Sequence, residues 1–429
     1  MDSFAPKGKA NSMKRNNANE QLALRIGIPN FASTFLTFFI NIAKYLDGLG
    51  HNVVFLNPDP FLRSRLDRHG CSYELYPSIN NIAHLEEPFD KSADIIRYLS
   101  RLYRLNDVQE IKLIAAKNKL YSRAVEHLRL SPVDKLIVWN GLGNVEKTVC
   151  QVLNIDAFYC ENGYFENTFQ MNKRGVNSEG SFVDLPANQL YDFVYPHADA
   201  KVTTTEFTLT ETPFNKLYYY LKRLFDEDYR NYLFSMIRYN LAVKKAKRSF
   251  SEQQFENIEF DKIGKFIFIP LQVNSDTQTI LYSDFKDTYD FLSTVVPKLK
   301  KLGYHIVLKQ HPFETEPVDY SSFVGEHVSL FSKCDLNALI DRAEFVVTIN
   351  SSVGLQAIER GKKVVVCGAA LYKNAPNCYP FSALDKVEKE PLQDAEKYIT
   401  KLKRDIFIEG NWRKVDKSLL ASVSQRLLG

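Results

Sequence analysis

Residues Phe345–Cys367, with the sequence FVVTINSSVGLQAIERGKKVVVC, contain the pattern of a strand, a helix and a second strand. Phe345–Ile349 and Lys363–Cys367 are short apolar runs rich in β-branched residues, which predict buried strands. Between them, Val353–Arg360 has apolar residues at helical spacing. Two parallel strands joined by a crossover helix form the repeating unit of α/β sheets. The stretch therefore predicts a parallel sheet covered by helices.

The same alternation extends over most of the chain. In the C-terminal half it predicts strands Phe266–Pro270 and His305–Lys309 and helices Asp284–Leu302 and Leu336–Arg342. Toward the N-terminus it predicts strand Leu22–Ile28, helix Thr34–Leu49, strand His51–Leu56, helices Lys91–Arg104 and Val108–Leu128, and strands Lys135–Trp139 and Ala157–Cys160. Because alternating strands and helices are typical of α/β folds, we predict two Rossmann-like α/β domains facing a cleft.

The length of 429 residues is sufficient for two packed cores. We predict a disordered polar leader at 1–20, an N-terminal acceptor and catalytic domain at 21–205, and a helical connection at 206–257. A C-terminal nucleotide-sugar domain follows at 258–393, and helices at 394–429 complete the chain and are expected to pack across both domains.

The composition excludes several classes of protein. With 45% hydrophobic and 25% charged residues the chain is neither disordered nor collagen-like, and a net charge of +4 is too small to indicate a nucleic-acid partner. Six cysteines with no C-x-x-C pair argue against a zinc site and predict reduced thiols in a cytoplasmic protein. The longest apolar run, Phe31–Ala43, is shorter than the ~20 residues that span a bilayer.

Basic residues are concentrated in two helical segments, Lys216–Arg223 and Lys244–Arg248. One interpretation is a peripheral contact with the anionic inner surface of the inner membrane, since each Lys or Arg near such a surface contributes about 1 kcal/mol. The other is an ordinary solvated helix face.

Polar side chains follow three predicted strands of the C-terminal domain. They are Gln272, Asn274, Asp276 and Gln278 after the first strand, Lys309, His311 and Pro312 at the second, and Asn350, Ser351 and Ser352 at the third. Hydroxyls and backbone amides at a helix start favour phosphate, and side-chain amides suit a sugar or a base. Individually, these residues could be a helix cap, a loop histidine and a polar surface loop. Together, at one edge of a sheet, they predict a nucleotide-sugar donor site.

In the N-terminal domain, Glu161 follows a buried strand, so its carboxylate is expected to face the cleft. It could act as a general acid or base, or it could only accept hydrogen bonds from loop amides. Downstream, Glu166–Ser178 has few periodic apolar positions, which predicts a polar loop that contacts substrate.

At these residues the sequence resembles the capsule polysaccharide biosynthesis family of the KpsS/KpsC type, the bacterial β-Kdo transferases. The resemblance extends from about Arg25 to Tyr372. The matching pieces are Glu161–Tyr164 (ENGY), Gly175–Asn177 (GVN), Pro270–Gln278 (PLQVNSDTQ), Lys309–Pro312 (KQHP) and Thr348–Leu355 (TINSSVGL).

The resemblance implies a GT-B-like glycosyltransferase that takes Kdo from CMP-Kdo, retains the β configuration, and needs neither a metal nor a cofactor besides this donor. His311, Pro312, Ser351 and Ser352 would hold the nucleotide phosphate, with Gln272 beside them. The acceptor would be a lipid, phosphatidylglycerol, or a Kdo-lipid at the inner membrane, and other capsule assembly proteins would be partners.

The resemblance also implies the catalytic groups. Glu161 matches the family's acid/base position, and the nucleophile of a double displacement is expected three residues before the Gly-Val-Asn loop, where this chain has Asn172. An amide cannot replace an ionised carboxylate as nucleophile. Glu166, Asp184 or Glu161 itself could therefore act instead, or Asn172 is a substitution that slows turnover, or the loop aligns differently.

Two other functions fit these sequence features. One is a transferase of the same fold that uses another nucleotide sugar, such as a UDP-sugar. The other is a catalytically impaired scaffold of the capsule assembly complex, which would follow if Asn172 marks a lost nucleophile.

Overall fold

The structure is a computed structural model that describes residues 22–77, 87–184, 221, 233–314 and 318–429. Two sheets, one in each half of the chain, organise these residues. The predicted leader lies outside the described residues, as does Lys216–Arg223 apart from Leu221.

The first sheet has strand order β13-β6-β5-β4-β1-β2-β3. Its strands are β1 (Arg25–Pro29), β2 (Asn52–Leu56), β3 (Tyr73–Glu74), β4 (Lys135–Trp139), β5 (Asp156–Asn162), β6 (Thr168–Asn172) and β13 (Phe407–Glu409). Strands β5, β4, β1, β2 and β3 run parallel to one another. At the other edge, β6 pairs antiparallel with β5, and β13 pairs antiparallel with β6. The accompanying helices are α1 (Leu36–Gly48), α2 (Pro60–Arg68), α3 (Asp94–Tyr103), α4 (Asp107–Leu130) and α5 (Glu146–Leu153).

The second sheet is parallel throughout, with strand order β12-β11-β10-β7-β8-β9. Its strands are β7 (Phe266–Pro270), β8 (His305–Lys309), β9 (Val328–Phe331), β10 (Phe345–Thr348), β11 (Lys363–Val366) and β12 (Cys378–Pro380). Counted from β7, this is the 3-2-1-4-5-6 order of a Rossmann fold. The predicted α/β fold class is therefore confirmed.

The remaining helices connect and cover these strands. They are α6 (Leu233–Glu252), α7 (Phe260–Ile263), α8 (Thr277–Leu281), α9 (Thr288–Lys300), α10 (Leu336–Arg342), α11 (Ser352–Glu359), α12 (Glu396–Lys401) and α13 (Lys417–Leu428). Of the predicted connection at 206–257, the structure describes α6, which packs Met236 into the first half and holds Lys247 over the ring of Phe313 in the second.

Both sheets are buried on both faces, which explains why their strands are continuous apolar runs in the sequence. In β2, Val53 and Phe55 belong to one core cluster while Val54 and Leu56 belong to another on the opposite face. All six cysteines are free thiols.

The prediction of a polar loop at Glu166–Ser178 was wrong in its first part, because β6 occupies Thr168–Asn172. The alternation in this segment explains the strand: Phe169 and Met171 enter the apolar core, while Gln170 and Asn172 lie on the other face. Both polar side chains are buried and hydrogen-bonded within the protein, whereas polar residues of a surface loop would be exposed to solvent.

The C-terminal segment connects the two halves. α12 packs Tyr398 and Ile399 into the second half, and the chain then returns to the first half, where β13 pairs with β6 and α13 packs against α1. The region predicted as helices at 394–429 thus also contains a strand, whose three residues are too few to show a clear pattern.

Candidate active site

The centre of the second sheet brings two of the predicted polar loops together. β7 and β10 are neighbours at the point where the strand order reverses, which is where α/β sheets bind ligands. Gln272 follows β7 and donates through Nε2 to Oδ1 of Asn350, which follows β10, over 2.9 Å. The backbone N–H of Asn350 donates back to Gln272 Oε1 over 3.1 Å. This reciprocal pair fixes the spacing of the two loops.

Asn350 is buried and hydrogen-bonds to the surrounding backbone. Its Nδ2 donates to the backbone carbonyls of Gln278, Tyr282 and Ala369 at 2.9 to 3.2 Å. The structure therefore places Gln272 and Asn350 as the frame of the predicted donor site, with their polar atoms occupied by protein groups.

Ser351 and Ser352 lie at the start of α11. The hydroxyl of Ser351 accepts from the N–H of Val353, and its carbonyl accepts from the hydroxyl of Tyr372 over 2.5 Å. A Cβ at Gly354 would collide with that tyrosine hydroxyl. The close approach of Tyr372 thus requires glycine at position 354, and its hydrogen bond to Ser351 holds the start of α11 in place. A helix start that is capped in this way can still offer backbone N–H groups to a ligand.

His311 lies in the loop after β8. The N–H of Asn274, in the loop after β7, donates to the carboxylate of Glu314 over 3.0 Å and so joins this loop to the other two. Burial, together with the charge of Lys309, lowers the pKa of His311 to about 4. Since its Nδ1 accepts from the N–H of Phe313, the neutral ring carries its proton on Nε2. It borders a small cavity of about 80 Å³ against α6.

Glu161 lies at the carboxyl end of β5, as predicted. Its Oε1 accepts from the backbone and the side chain of Asn162, both at 2.8 Å, and its Oε2 accepts from Asn140 Nδ2 at 3.3 Å. Burial raises the pKa of Glu161 despite these hydrogen bonds. A carboxylate that is both fixed and hard to ionise is suited to proton transfer.

Asp276, from the second half of the chain, interacts electrostatically with Glu161. It caps α8 by accepting from the N–H of Gln278 over 2.9 Å, and burial raises its pKa. The negative charge of Asp276 further raises the pKa of Glu161. Burial raises the pKa of Tyr98 and of Tyr164, and the charges of Asp276 and Glu161 add to that effect. We call Glu161 and Asp276 the acid pair. The sequence marked Asp276 as a donor-site residue, but its partner across the domains could not be predicted.

The other acidic candidates lie elsewhere. Glu166 is exposed in the turn between β5 and β6, and Asp184 is exposed and paired with Arg174 at 2.5 Å and with Lys373 at 3.4 Å. These two cations lower the pKa of Asp184.

Asn172 pairs with Tyr159 in the ladder, one same-face step of about 7 Å from the pair of Glu161 and Gln170. Its Oδ1 accepts from the N–H groups of Arg174 and Ser181, and its Nδ2 donates to Ser181 Oγ over 2.8 Å. The amide thus organises the loop after β6, including the Gly175–Asn177 stretch.

Two side-chain hydrogen bonds join the two halves in the candidate site. Ser178 donates to Gln278 Oε1 over 3.0 Å, and Gln356 donates to the carbonyl of Tyr164 over 3.4 Å. The ring of Tyr164 packs against Tyr372 and Phe407. The loops that carry the acid pair are therefore held across the cleft by both sheets.

Two residues that help to orient Glu161, Asn140 and Trp412, are not predicted as site residues from the sequence. Asn140 adopts a left-handed conformation at φ 35°, which asparagine tolerates better than most residues, and Asn-Gly after the β4 run was the available signal. Trp412 donates to Asn162 Oδ1 over 2.6 Å from 250 positions away, and no local pattern marks that contact.

Across the described ranges, no group of three or more His, Cys, Asp or Glu side chains has the arrangement of a metal site. No helix among the described residues is both long and apolar enough to cross a membrane.

Comparison with known proteins gave a match over residues 141–411 to the family model described as capsule polysaccharide biosynthesis protein, which is more than half of the chain. Protein FixF of Sinorhizobium fredii is 25% identical over 355 residues, covering 79% of this chain and 77% of FixF. The capsule polysaccharide modification protein LipB of Neisseria meningitidis is 29% identical over 149 residues, 31% of this chain and 36% of LipB.

Among solved structures, the β-Kdo 2,7 transferase of Thermosulfurimonas dismutans KpsC has 16% identity and a TM-score of 0.34. The match covers 76% of this chain and 85% of that one.

Proposed function

The chain belongs to the capsule polysaccharide biosynthesis protein family, and from that premise we propose that it is a retaining glycosyltransferase that transfers β-Kdo from CMP-Kdo to a lipid or Kdo-lipid acceptor. The observation that carries the proposal is the acid pair: the carboxylate of Glu161, which Asn140 and Asn162 hold in place, and Asp276 in the loop after β7, whose charge raises the pKa of Glu161. Two such groups suit a double displacement at a sugar carbon.

Asp276 is the nucleophile in this proposal. Its ionised carboxylate attacks the anomeric carbon of Kdo, the bond from that carbon to the phosphate oxygen breaks, and CMP leaves with the electron pair. Support comes from its place at the loop after β7, next to the frame formed by Gln272 and Asn350.

Glu161 is the general base of the second step. It takes the proton from the acceptor hydroxyl, whose oxygen attacks the anomeric carbon and displaces Asp276, so that two inversions give retention. The raised pKa of Glu161 supports this role, because a base is most effective when its pKa lies near the working pH. Asn140 and Asn162 hold both of its oxygens.

The phosphate of the donor is assigned to His311, Ser351 and Ser352, with Lys309 nearby. A neutral His311 offers an Nε2–H donor, and the start of α11 offers hydroxyls and backbone N–H groups. Gln278 is assigned to the sugar, since its Nε2 is buried without a hydrogen-bond partner among the described residues.

CMP release from CMP-Kdo tests the proposal. Purified protein given CMP-Kdo and either phosphatidylglycerol vesicles or a short Kdo acceptor is expected to release CMP in proportion to product. Glu161→Gln and Asp276→Asn are each expected to reduce the rate by about 100-fold or more. Glu166→Gln, an exposed carboxylate on the same hairpin, and Asp287→Asn, another helix cap, are matched controls. The absence of CMP release with either acceptor would contradict the proposal.

The donor class has a separate test. CMP is expected to raise the melting temperature, because a ligand that binds only the folded state stabilises it by mass action. A larger effect of UDP than of CMP would favour the same fold with a UDP-sugar donor.

We also propose peripheral attachment to the anionic face of the inner membrane through α6. Phe234 and Leu241 are 75% and 62% exposed, and Arg238 and Lys245 lie on the same stripe of the helix. Co-sedimentation with phosphatidylglycerol vesicles is expected to weaken in an Arg238→Gln, Lys245→Gln variant, and undiminished binding would contradict this attachment.

A further inference from the structure

A cavity of about 630 Å³ lies between the C-terminal part of α3 and the segment at the end of α8 and after it. The first wall belongs to the N-terminal half and the second to the C-terminal half. Its charged lining consists of Arg97, Arg101, Arg104 and Lys286, with Glu110 and Asp284.

The positive charge of this cavity is organised. Arg97 and Arg101 lie four residues apart on one side of α3, and Arg104 is the residue that ends the helix, in a left-handed conformation. Arg97 also donates to the carbonyl of Ile280 on the opposite wall over 3.2 Å, which fixes its guanidinium across the cleft. Arg97 is also paired with Asp94 at 3.3 Å, and of the two acids in the lining Glu110 is paired with Lys91 at 3.2 Å. The lining therefore has a net positive charge.

Each wall of the cavity includes part of a helix that is also linked to the candidate active site. α3 carries Tyr98, whose pKa is raised in part by the charges of Glu161 and Asp276, and Arg101 lies three residues, or about 4.5 Å of helix rise, further along. On the other wall, α8 begins at its cap Asp276 and reaches the cavity at Ile280. Ile280 lies four residues, or about 6 Å of helix rise, from Asp276.

We propose that this cavity binds a phosphate group of the acceptor and so presents the acceptor hydroxyl to the acid pair; this inference rests on the transferase function proposed above. Arginine side chains bind phosphate through paired, charge-assisted hydrogen bonds, and three of them at one cavity match a group with several oxygens. The phosphate is part of a lipid headgroup or of a soluble phosphate ester, two sources with the same chemistry.

Binding of glycerol 3-phosphate to the full chain, measured by calorimetry, tests the cavity without requiring activity. The variant Arg104→Gln, Lys286→Gln removes one cation from each wall, and we expect its dissociation constant to rise about 10-fold or more. The variant Lys300→Gln, Lys389→Gln removes the same charge from exposed positions elsewhere and is expected to bind like the unmodified protein. Undetectable binding by the unmodified protein, or equal binding by the cavity variant, would overturn the proposal.

Kinetics separate this inference from the transferase proposal. In the cavity variant, KM for the acceptor is expected to rise while KM for CMP-Kdo and slow donor hydrolysis without acceptor stay unchanged. If the unmodified protein releases no CMP but glycerol 3-phosphate binding still depends on the two cations, the transferase proposal fails and the phosphate site stands.

Competition assays identify the source of the phosphate. Competition by vesicles of phosphatidylglycerol, and not by vesicles of phosphatidylcholine, assigns the phosphate to an anionic lipid. Competition by glycerol 3-phosphate alone assigns it to a soluble ester. Either result supports the cavity.

Discussion

Glu161 and Asp276 illustrate how position gives two ordinary carboxylates unusual properties. Each lies at the end of a strand or the start of a helix, and burial raises the pKa of each. The sequence marked both residues, because polar side chains after apolar strands are visible in the pattern. Their electrostatic interaction was not predictable, because it depends on how the two halves face one another, and that orientation involves contacts such as Ser178 to Gln278.

Replacement of Glu161 by glutamine is expected to reduce activity and to stabilise the fold at neutral pH. Because its pKa in the folded state is raised, ionising Glu161 costs folding free energy at pH values above its ordinary pKa, and this cost is absent below that pKa. Thermal unfolding of Glu161→Gln should therefore give a higher Tm than the unmodified protein at pH 7.5 and an equal Tm near pH 4. A lower Tm at pH 7.5 would contradict the assigned environment.

The variant Asn172→Asp tests whether this position is a lost nucleophile. Its Oδ1 and Nδ2 are both engaged within the loop after β6, and the side chain is 4% exposed. We expect a buried charge there to destabilise the fold by about 1–3 kcal/mol and to give no gain in turnover. An increase in CMP release would show that position 172 can supply the nucleophile and would contradict the assignment of that role to Asp276.

At the scale of elements, β6 and α11 show where sequence patterns succeed and fail. Both ends of the strand β10 and of the helix α11 were predicted to within one residue, because the apolar periodicity of these elements is uninterrupted. β6 was missed because the face opposite Phe169 and Met171 carries Gln170 and Asn172, which are satisfied by hydrogen bonds that only the folded chain supplies. The alternation is present but covers only five residues, and its polar half favoured the interpretation as a loop.

Gly354→Ala tests the tight start of α11. The new methyl group would collide with the Tyr372 hydroxyl, which donates to Ser351, so we expect a loss of about 1–3 kcal/mol in stability and weaker CMP binding. Gly48→Ala, at a helix position with open space around the added Cβ, is the matched control and should be neutral. CMP affinity and Tm measured on both variants check this, and an unchanged CMP affinity in Gly354→Ala would count against phosphate binding at Ser351.

At the scale of the whole molecule, the chain after α12 returns to the first sheet and reaches the acid pair. β13 extends that sheet, and Trp412 packs against Phe35 and Trp139 while its indole N–H donates to Asn162. Asn162 in turn donates twice to Glu161. The contact between Trp412 and Asn162 joins residues 250 positions apart and has no local signature in the sequence.

Trp412→Phe removes the indole donor and keeps most of the ring. The lost hydrogen bond frees Asn162, so we expect kcat to fall by about 10-fold, with a small loss of stability and an unchanged KM for CMP-Kdo. Steady-state kinetics and thermal unfolding check this. A fall in Tm large enough to account for the lost activity would instead indicate a purely structural role.

The central claim is that the acid pair performs a double displacement, and mapping of the sugar–enzyme adduct tests it most directly. Protein given CMP-Kdo without acceptor, then quenched, digested and analysed by mass spectrometry, should carry one Kdo on the peptide that contains Asp276. The adduct should be absent in Asp276→Asn. An adduct on another residue, or CMP release by Asp276→Asn at the unmodified rate, would contradict the account.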